Sequence, residues 1–294
     1  MSEPSYGALL DAVRGVQWPA RRSVPAGPVG MHLSRTRGAS SEFAEYRAYR
    51  QGDDPRRIDW RLLARSDRAY IRLTTDRAIL GTTIVLDSSA SMAFPVATRA
   101  KWHLAQQIAI GLAAVAHAAG DPVGLIVSEN GVPRTLAPRT RRGVVDELAR
   151  VVEDVQPAGS AHLAPLGRLA RTPRIAIISD LLGDSDDLIR VASAHVSGGG
   201  GGGGGGEAHV VHVIAREELE LPNRTLLAAD PEDPSVERLL TEATRRAYDE
   251  TFAEWRAEVA RQFRAGGAAY TQVVTDEPAA HAVRRIARPA GTVR

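Results

Sequence analysis

From residue 81 onward, short β-branched and apolar runs alternate with longer stretches whose apolar positions recur at helical spacing. The runs are GTTIVLD at 81–87, PVGLIVS at 122–128, RIAIISD at 174–180, HVVHVIA at 209–215 and AYTQVVT at 269–275. Their length and composition predict strands. Between and after them, 99–119, 140–154, 161–170, 185–196 and 235–265 read as helices, with a basic patch between 128 and 140. Strands alternating with helices imply βα units and a mainly parallel sheet covered on both faces. Two of the runs end in an acid, Asp87 and Asp180. In such sheets ligands bind beyond the carboxyl ends of the strands, where the strand order reverses.

The first 78 residues follow another pattern. Residues 5–18 can form a short helix with Leu9, Leu10, Val13 and Val16 on one side. Residues 19–40, rich in Pro, Gly, Ser and Arg, read as extended or loop, and 68–76 as a strand around Tyr70 and Ile71. Within 41–67, GDDP favours a turn, and Pro55 discourages helix at Asp54. The expected division is therefore 1–78, a helix plus a strand-rich segment, and 79–294, an α/β domain. The nine glycines at 198–206 lack the Lys and Ser/Thr of a phosphate loop and are expected to be a flexible surface linker.

Composition narrows the function. Hydrophobic residues make up 44% and charged residues 24%, ordinary proportions for a water-soluble chain with a large core. The formal charge is only +2, which argues against a nucleic-acid surface despite arginine-rich stretches. Lys101 is the only lysine; the other basic residues are arginine. Without cysteine there is no disulfide, thiolate nucleophile or cysteine metal cluster. No signal peptide or membrane span is read, so a cytoplasmic protein without membrane insertion is expected.

IVLDSSASM at 84–92 carries the sharpest chemistry. Asp87 ends a buried strand, and Ser89 and Ser91 follow at alternate positions. A hard cation such as Mg²⁺ takes oxygen ligands and keeps several waters. One carboxylate supplies charge, and two hydroxyls add neutral oxygens without repulsion. Met92 is expected to pack. The arrangement resembles the metal-ion-dependent adhesion site of von Willebrand factor A domains, Asp-x-Ser-x-Ser. That resemblance implies a Rossmann-like α/β fold with a mainly parallel sheet, plus here an N-terminal strand-rich extension. It also implies two further ligand loops. Asp180 matches the aspartate of one. Ser160 matches the threonine of the other, beside Ala161 and His162 where the family pattern has an acid. Mg²⁺ is the implied ion, with Mn²⁺ or Ca²⁺ as alternatives.

EFAEYRAYRQGDDPRRIDWRLLARSDRAYIR at 42–72 resembles the signature of the bacterial family called domain of unknown function 58, in which it precedes an A-like domain as it does here. ELELPNRTLLAAD at 218–230 and AYDETFAEWRAEVARQFRAGGAAYTQVVTDEP at 247–278 extend the likeness. The resemblance implies a MoxR-type AAA+ ATPase partner and a protein client, in a chaperone or assembly role. In the first block Asp53, Asp54 and Asp59 sit among Arg47, Arg50, Arg56, Arg57, Arg61 and Arg65. Since arginine pairs bidentately with carboxylates, an internal salt-bridge network or a recognition surface is expected. Trp60 and Tyr49 are expected to be packing anchors.

Catalysis is the weaker expectation. His209 and His212 lie three apart on a strand and point to opposite faces, which makes them poor joint ligands. A Ser89–His162–Asp180 hydrolase lacks the Gly-x-Ser-x-Gly elbow. The expected function is cation-dependent protein binding; the alternatives are a cation-independent interaction module and a metal-dependent hydrolase.

Overall fold

A computed structural model describes residues 6–21, 29–33, 43–50, 53, 55–74, 77–129, 131–160, 163–183, 185–198, 205–221, 226–229, 235 and 237–288. The elements begin with α1 (Gly7–Ala12), β1 (Val29–Leu33), β2 (Phe43–Ala48), α2 (Trp60–Ser66), β3 (Tyr70–Thr74) and β4 (Arg77–Ala78). Then come β5 (Thr82–Leu86), α3 (Ala100–Ala118), β6 (Val123–Glu129), β7 (Val132–Arg139), α4 (Val144–Asp154) and α5 (Leu163–Leu169). The remainder are β8 (Arg174–Ser179), α6 (Ser185–Ser197), β9 (Glu207–Ile214), α7 (Arg216–Leu219), β10 (Leu226–Ala229), β11 (Glu237–Leu240), α8 (Glu242–Ala265), β12 (Ala269–Val274) and α9 (Ala279–Ala287). The chain divides into two compact units, residues 1–19 with 81–294 and residues 20–80. The first nineteen residues thus go with the larger unit, and its second boundary falls between 80 and 81 rather than after 78.

In the larger unit a six-stranded sheet runs β12-β9-β8-β5-β6-β7, parallel except for β7. This is the α/β fold expected from the pattern of apolar runs. Successive side chains on a strand point to opposite faces, so each central strand feeds two cores. Ile84, Leu86, Ala176, Ile178, Val211 and Val213 pack on one face, with α3 and α9. Val85, Ile175, Ile177, Ala208 and Val210 pack on the other, with Phe263 of α8. Helix α3 is apolar nearly all round because α1, α4 and α9 as well as the sheet contact it.

At the amino ends of β8 and β9, Arg174 is fully buried and joined to Glu207 at 3.2 Å. It also donates to the Trp18 carbonyl at 3.0 Å and lies over the Trp18 ring. That cation fastens residues before α3 to the sheet.

The smaller unit is strand-rich, as expected. β1 pairs with β4 and β2 with β3, both antiparallel. Helix α2 starts at Asp59, whose carboxylate accepts from the N–H groups of Arg61 and Leu62, both at 3.0 Å. The second half of the 41–67 block is therefore helical.

Three expectations shift. The helix expected over 235–265 begins at Glu242, because Glu237–Leu240 pairs with Leu226–Ala229 and Thr241 caps α8. The helix over 5–18 contracts to Gly7–Ala12. The basic patch after β6 is an edge strand, β7, carrying Pro133 and Pro138, residues that such a position tolerates. Of the glycine tract, residues 199–204 lie outside the described residues. Among the described residues no helix is long and apolar enough to cross a membrane.

Strand β7 closes tightly on Gly124, at the register shift between Val123 and Leu125. A Cβ at this glycine would lie 2.7 Å from the Leu136 carbonyl oxygen and 2.9 Å from the Pro138 nitrogen, both backbone atoms that cannot swing aside. Gly124→Ala is expected to destabilise the protein by about 1–3 kcal/mol. A lower urea midpoint at unchanged slope would show it; an unchanged midpoint would mean that β7 yields.

Candidate cation site at the carboxyl ends of the central strands

The chain leaves β5 for β6 on one side, then returns to β8 on the other side of β5, so the strand order reverses between β5 and β8. Their parallel register, Leu86 opposite Ile178, sets the two acid-bearing ends side by side. The Asp87 N–H donates to the Ile178 carbonyl at 2.9 Å, continuing the ladder one residue beyond the strand.

Asp87 is 1% exposed and its carboxylate is caged. One oxygen accepts the Ser89 N–H at 2.9 Å, and the other accepts the Ser179 hydroxyl at 2.6 Å. The Ser89 and Ser91 hydroxyls meet each other at 2.9 Å, so the motif does gather in one place. The loop carrying Ser160 is brought alongside: Ala90 N–H donates to Gly159 and Ala158 N–H to Ser88, both at 2.9 Å. Ser160 itself is exposed. His162 lies outside the described residues.

Asp180 is also 1% exposed. One of its oxygens accepts the Leu182 N–H at 3.2 Å; the other accepts the Lys101 ammonium at 2.7 Å. Lys101, in the first turn of α3, is fully buried and donates also to Glu218 on α7 at 2.8 Å. The second oxygen of Glu218 accepts the Ala215 N–H at 2.7 Å.

Burial pushes the Asp87 carboxyl up to about 7, Asp180 adds like-charge repulsion, and the bonds from Ser179 and Ser89 only partly offset both. For Lys101, burial is the largest single influence and disfavours the charge, yet Asp180 and Glu218 together hold its pKa above the ordinary lysine value. His212, near Asp180, is pushed down to about 3 by burial and is neutral. His209 lies on the other face of β9, against Trp18, so the two histidines do not meet.

A divalent cation needs several converging oxygens. Here Asp87, Ser89, Ser91 and Asp180 are all buried, and every carboxylate oxygen of the two acids already accepts a hydrogen bond. Among the described residues no group of three or more His, Asp or Glu converges as metal ligands. In this arrangement an ammonium, that of Lys101, already stands against one oxygen of Asp180. The Ser89 hydroxyl meets Ser91 and also hydrogen-bonds the Asp87 carboxylate.

The sequence reading missed Ser179, Lys101 and Glu218. The one available signal was Lys101 itself, the only lysine, placed at the head of an apolar helix. Glu218 is 38 residues from Asp180 in sequence, and only the topology brings both to Lys101.

In the smaller unit Arg47 pairs with Asp53 at 2.7 Å, and Asp53 also accepts the Arg50 N–H at 2.8 Å. The Tyr46 hydroxyl donates to Asp59 at 2.8 Å. Tyr49 is half-buried and its N–H donates to Ala69. Arg50, Arg56, Arg61 and Arg65 are exposed. Asp54 and the Arg57 side chain lie outside the described residues. Trp60 is 62% exposed, so it is not the packing anchor expected.

The Asp87 environment predicts a pH effect. The unfolded chain releases this proton near 3.8, the folded one near 7. Stability from the protonated carboxyl is therefore complete below the lower value and is lost as pH rises through the upper one. Asp87→Asn keeps an acceptor for the Ser89 N–H and removes that loss, with a ceiling of about 4 kcal/mol at about 1.4 kcal/mol per pH unit. In chelator, its Tm should exceed that of the unsubstituted protein by several degrees at pH 8, and the gap should narrow toward pH 5. A gap independent of pH would count against the assignment.

Comparison with known proteins places the chain in a family. Over 282 residues the chain is 29% identical to the uncharacterized protein Mb1516 of Mycobacterium bovis, covering 91% of this chain and 85% of that one. The uncharacterized protein Rv1480 of Mycobacterium tuberculosis matches with the same identity and coverage. Among solved structures, the SpRpn10 VWA domain aligns with a TM-score of 0.41 at 14% identity, over 74% of this chain and 100% of that one. The pilus adhesin SpaC of Lactobacillus rhamnosus GG aligns at 0.31 and 9%, over 66% of this chain and 24% of that one. The family described as "Protein of unknown function DUF58" matches residues 45–258, and the chain belongs to that family.

Proposed function

We propose that this protein is a non-catalytic, cation-independent interaction module whose binding face lies in the unit of residues 20–80. The observation that carries this reading is Trp60, a large aromatic left 62% exposed at the start of α2. Tyr46 is 43% exposed, and Arg50, Arg56, Arg61 and Arg65 are exposed in the same unit. Tryptophan, tyrosine and arginine dominate the energetics of protein interfaces. The Arg47–Asp53 pair and the Asp59 cap hold the local backbone, so the face is presented by an ordered segment. An arginine-rich face selects an acidic partner surface. The family resemblance supplies the partner proposed, a MoxR-type AAA+ ATPase in the cytoplasm, with a protein client bridged to it.

A second reading has one observation in its favour: Asp87, Ser89 and Ser91 do assemble beside one another. On that reading Mg²⁺ bound there would accept a carboxylate from the partner.

Affinity capture of the ATPase from the same organism, with the full chain as bait, separates the two. Trp60→Ala should weaken capture about tenfold or more. Asp87→Ala and chelator should leave it unchanged. Capture that ignores Trp60→Ala but disappears in chelator and with Asp87→Ala would replace this proposal by the cation-bridged one.

A further inference from the structure

We infer that Lys101 is the resident cation of this site: a tethered ammonium that joins Asp180 to Glu218 and completes the charge of the strand-end cluster without a metal ion. Three elements meet at that atom. Asp180 follows β8, Glu218 lies on α7 just past β9, and Lys101 comes from the first turn of α3. The bonds are 2.7 and 2.8 Å, and the lysine is fully buried. The Phe94 ring covers the ammonium at 5.7 Å. Because Glu218 also accepts the Ala215 N–H, the ammonium fixes the whole α7 segment against the end of β8.

The residue type fits the task. Every other basic residue in the chain is arginine. A guanidinium is a wide planar fork, whereas an ammonium is a compact point charge with three donors. Two carboxylates approaching from different elements can share the second. Like an inner-sphere ion, the ammonium neutralises acids that burial would otherwise leave repelling one another. Unlike a free ion it is always present, so the site needs none from solution.

The inference deepens the cation independence of the proposed function, but the free protein suffices to test it. Mn²⁺ binding to the full chain would be titrated by electron paramagnetic resonance, with Tm followed in chelator and in millimolar Mg²⁺. The unsubstituted protein should show no saturable Mn²⁺ binding and the same Tm in both solutions. Lys101→Ala empties the space and leaves Asp180 and Glu218 facing each other. Its Tm should fall by several degrees in chelator and recover in Mg²⁺, and saturable Mn²⁺ binding should appear. Adding Asp180→Asn should abolish that gain. Stoichiometric Mn²⁺ uptake by the unsubstituted protein overturns the inference, as does a folded Lys101→Ala variant that gains no metal response. If Lys101→Ala is recovered only as insoluble protein, the titration of the unsubstituted chain decides alone. Failure to capture the ATPase would sink the proposed function and leave this result untouched.

Discussion

Two acids forced together at adjacent strand ends set the terms for the larger unit. Parallel pairing of β5 with β8 places Asp87 and Asp180 beyond neighbouring strands, where both are 1% exposed and repel each other. Burying a carboxylate costs several kcal/mol unless it is paired or bonded. The surroundings answer each acid differently. Asp87 is capped by neutral donors, the Ser179 hydroxyl and the Ser89 N–H, and its carboxyl keeps its proton up to about pH 7. Asp180 receives a full charge, Lys101. One acid is handled by protonation and the other by an ion pair, and this difference is what allows them to be neighbours.

The same solution recurs at the opposite end of the sheet. Arg174, at the amino end of β8, is buried against Glu207 and the Trp18 carbonyl, as Lys101 is buried against Asp180 and Glu218. Each cation ties strand ends to a segment outside the sheet, residues around Trp18 in one case and α7 in the other. Apolar packing holds the middle of the layers, where side chains alternate between two cores. At the two ends the backbone turns away and packing thins, and there buried charges take over. Removing one partner of such a pair strands the other without water.

The smaller unit works by different means. Its strands are short, its helix starts on the Asp59 cap, and an arginine–aspartate pair, Arg47–Asp53, ties β2 to the chain that follows it. Trp60 and Tyr46 remain exposed at its surface.

The sequence by itself determined the five parallel strands of the α/β unit and most of its longer helices, though not α7 or α9, because a buried parallel strand must be a short apolar run and a helix must repeat its apolar face. It also determined that Asp87, Ser89 and Ser91 gather, since residues two apart on a loop after a strand stay close whatever the fold. It could not distinguish the edge strand β7 from a basic loop, because an exposed strand has no apolar face to reveal it. Nor could it show that 237–240 pairs with 226–229 rather than entering α8, a choice made by a partner strand and not by local propensity. Only the tertiary structure decided what faces Asp180. Lys101 and Glu218 are 79 and 38 residues away from it, and no local pattern encodes a contact set by strand order. The motif predicted oxygen ligands; the fold set a lysine ammonium against one of them, Asp180.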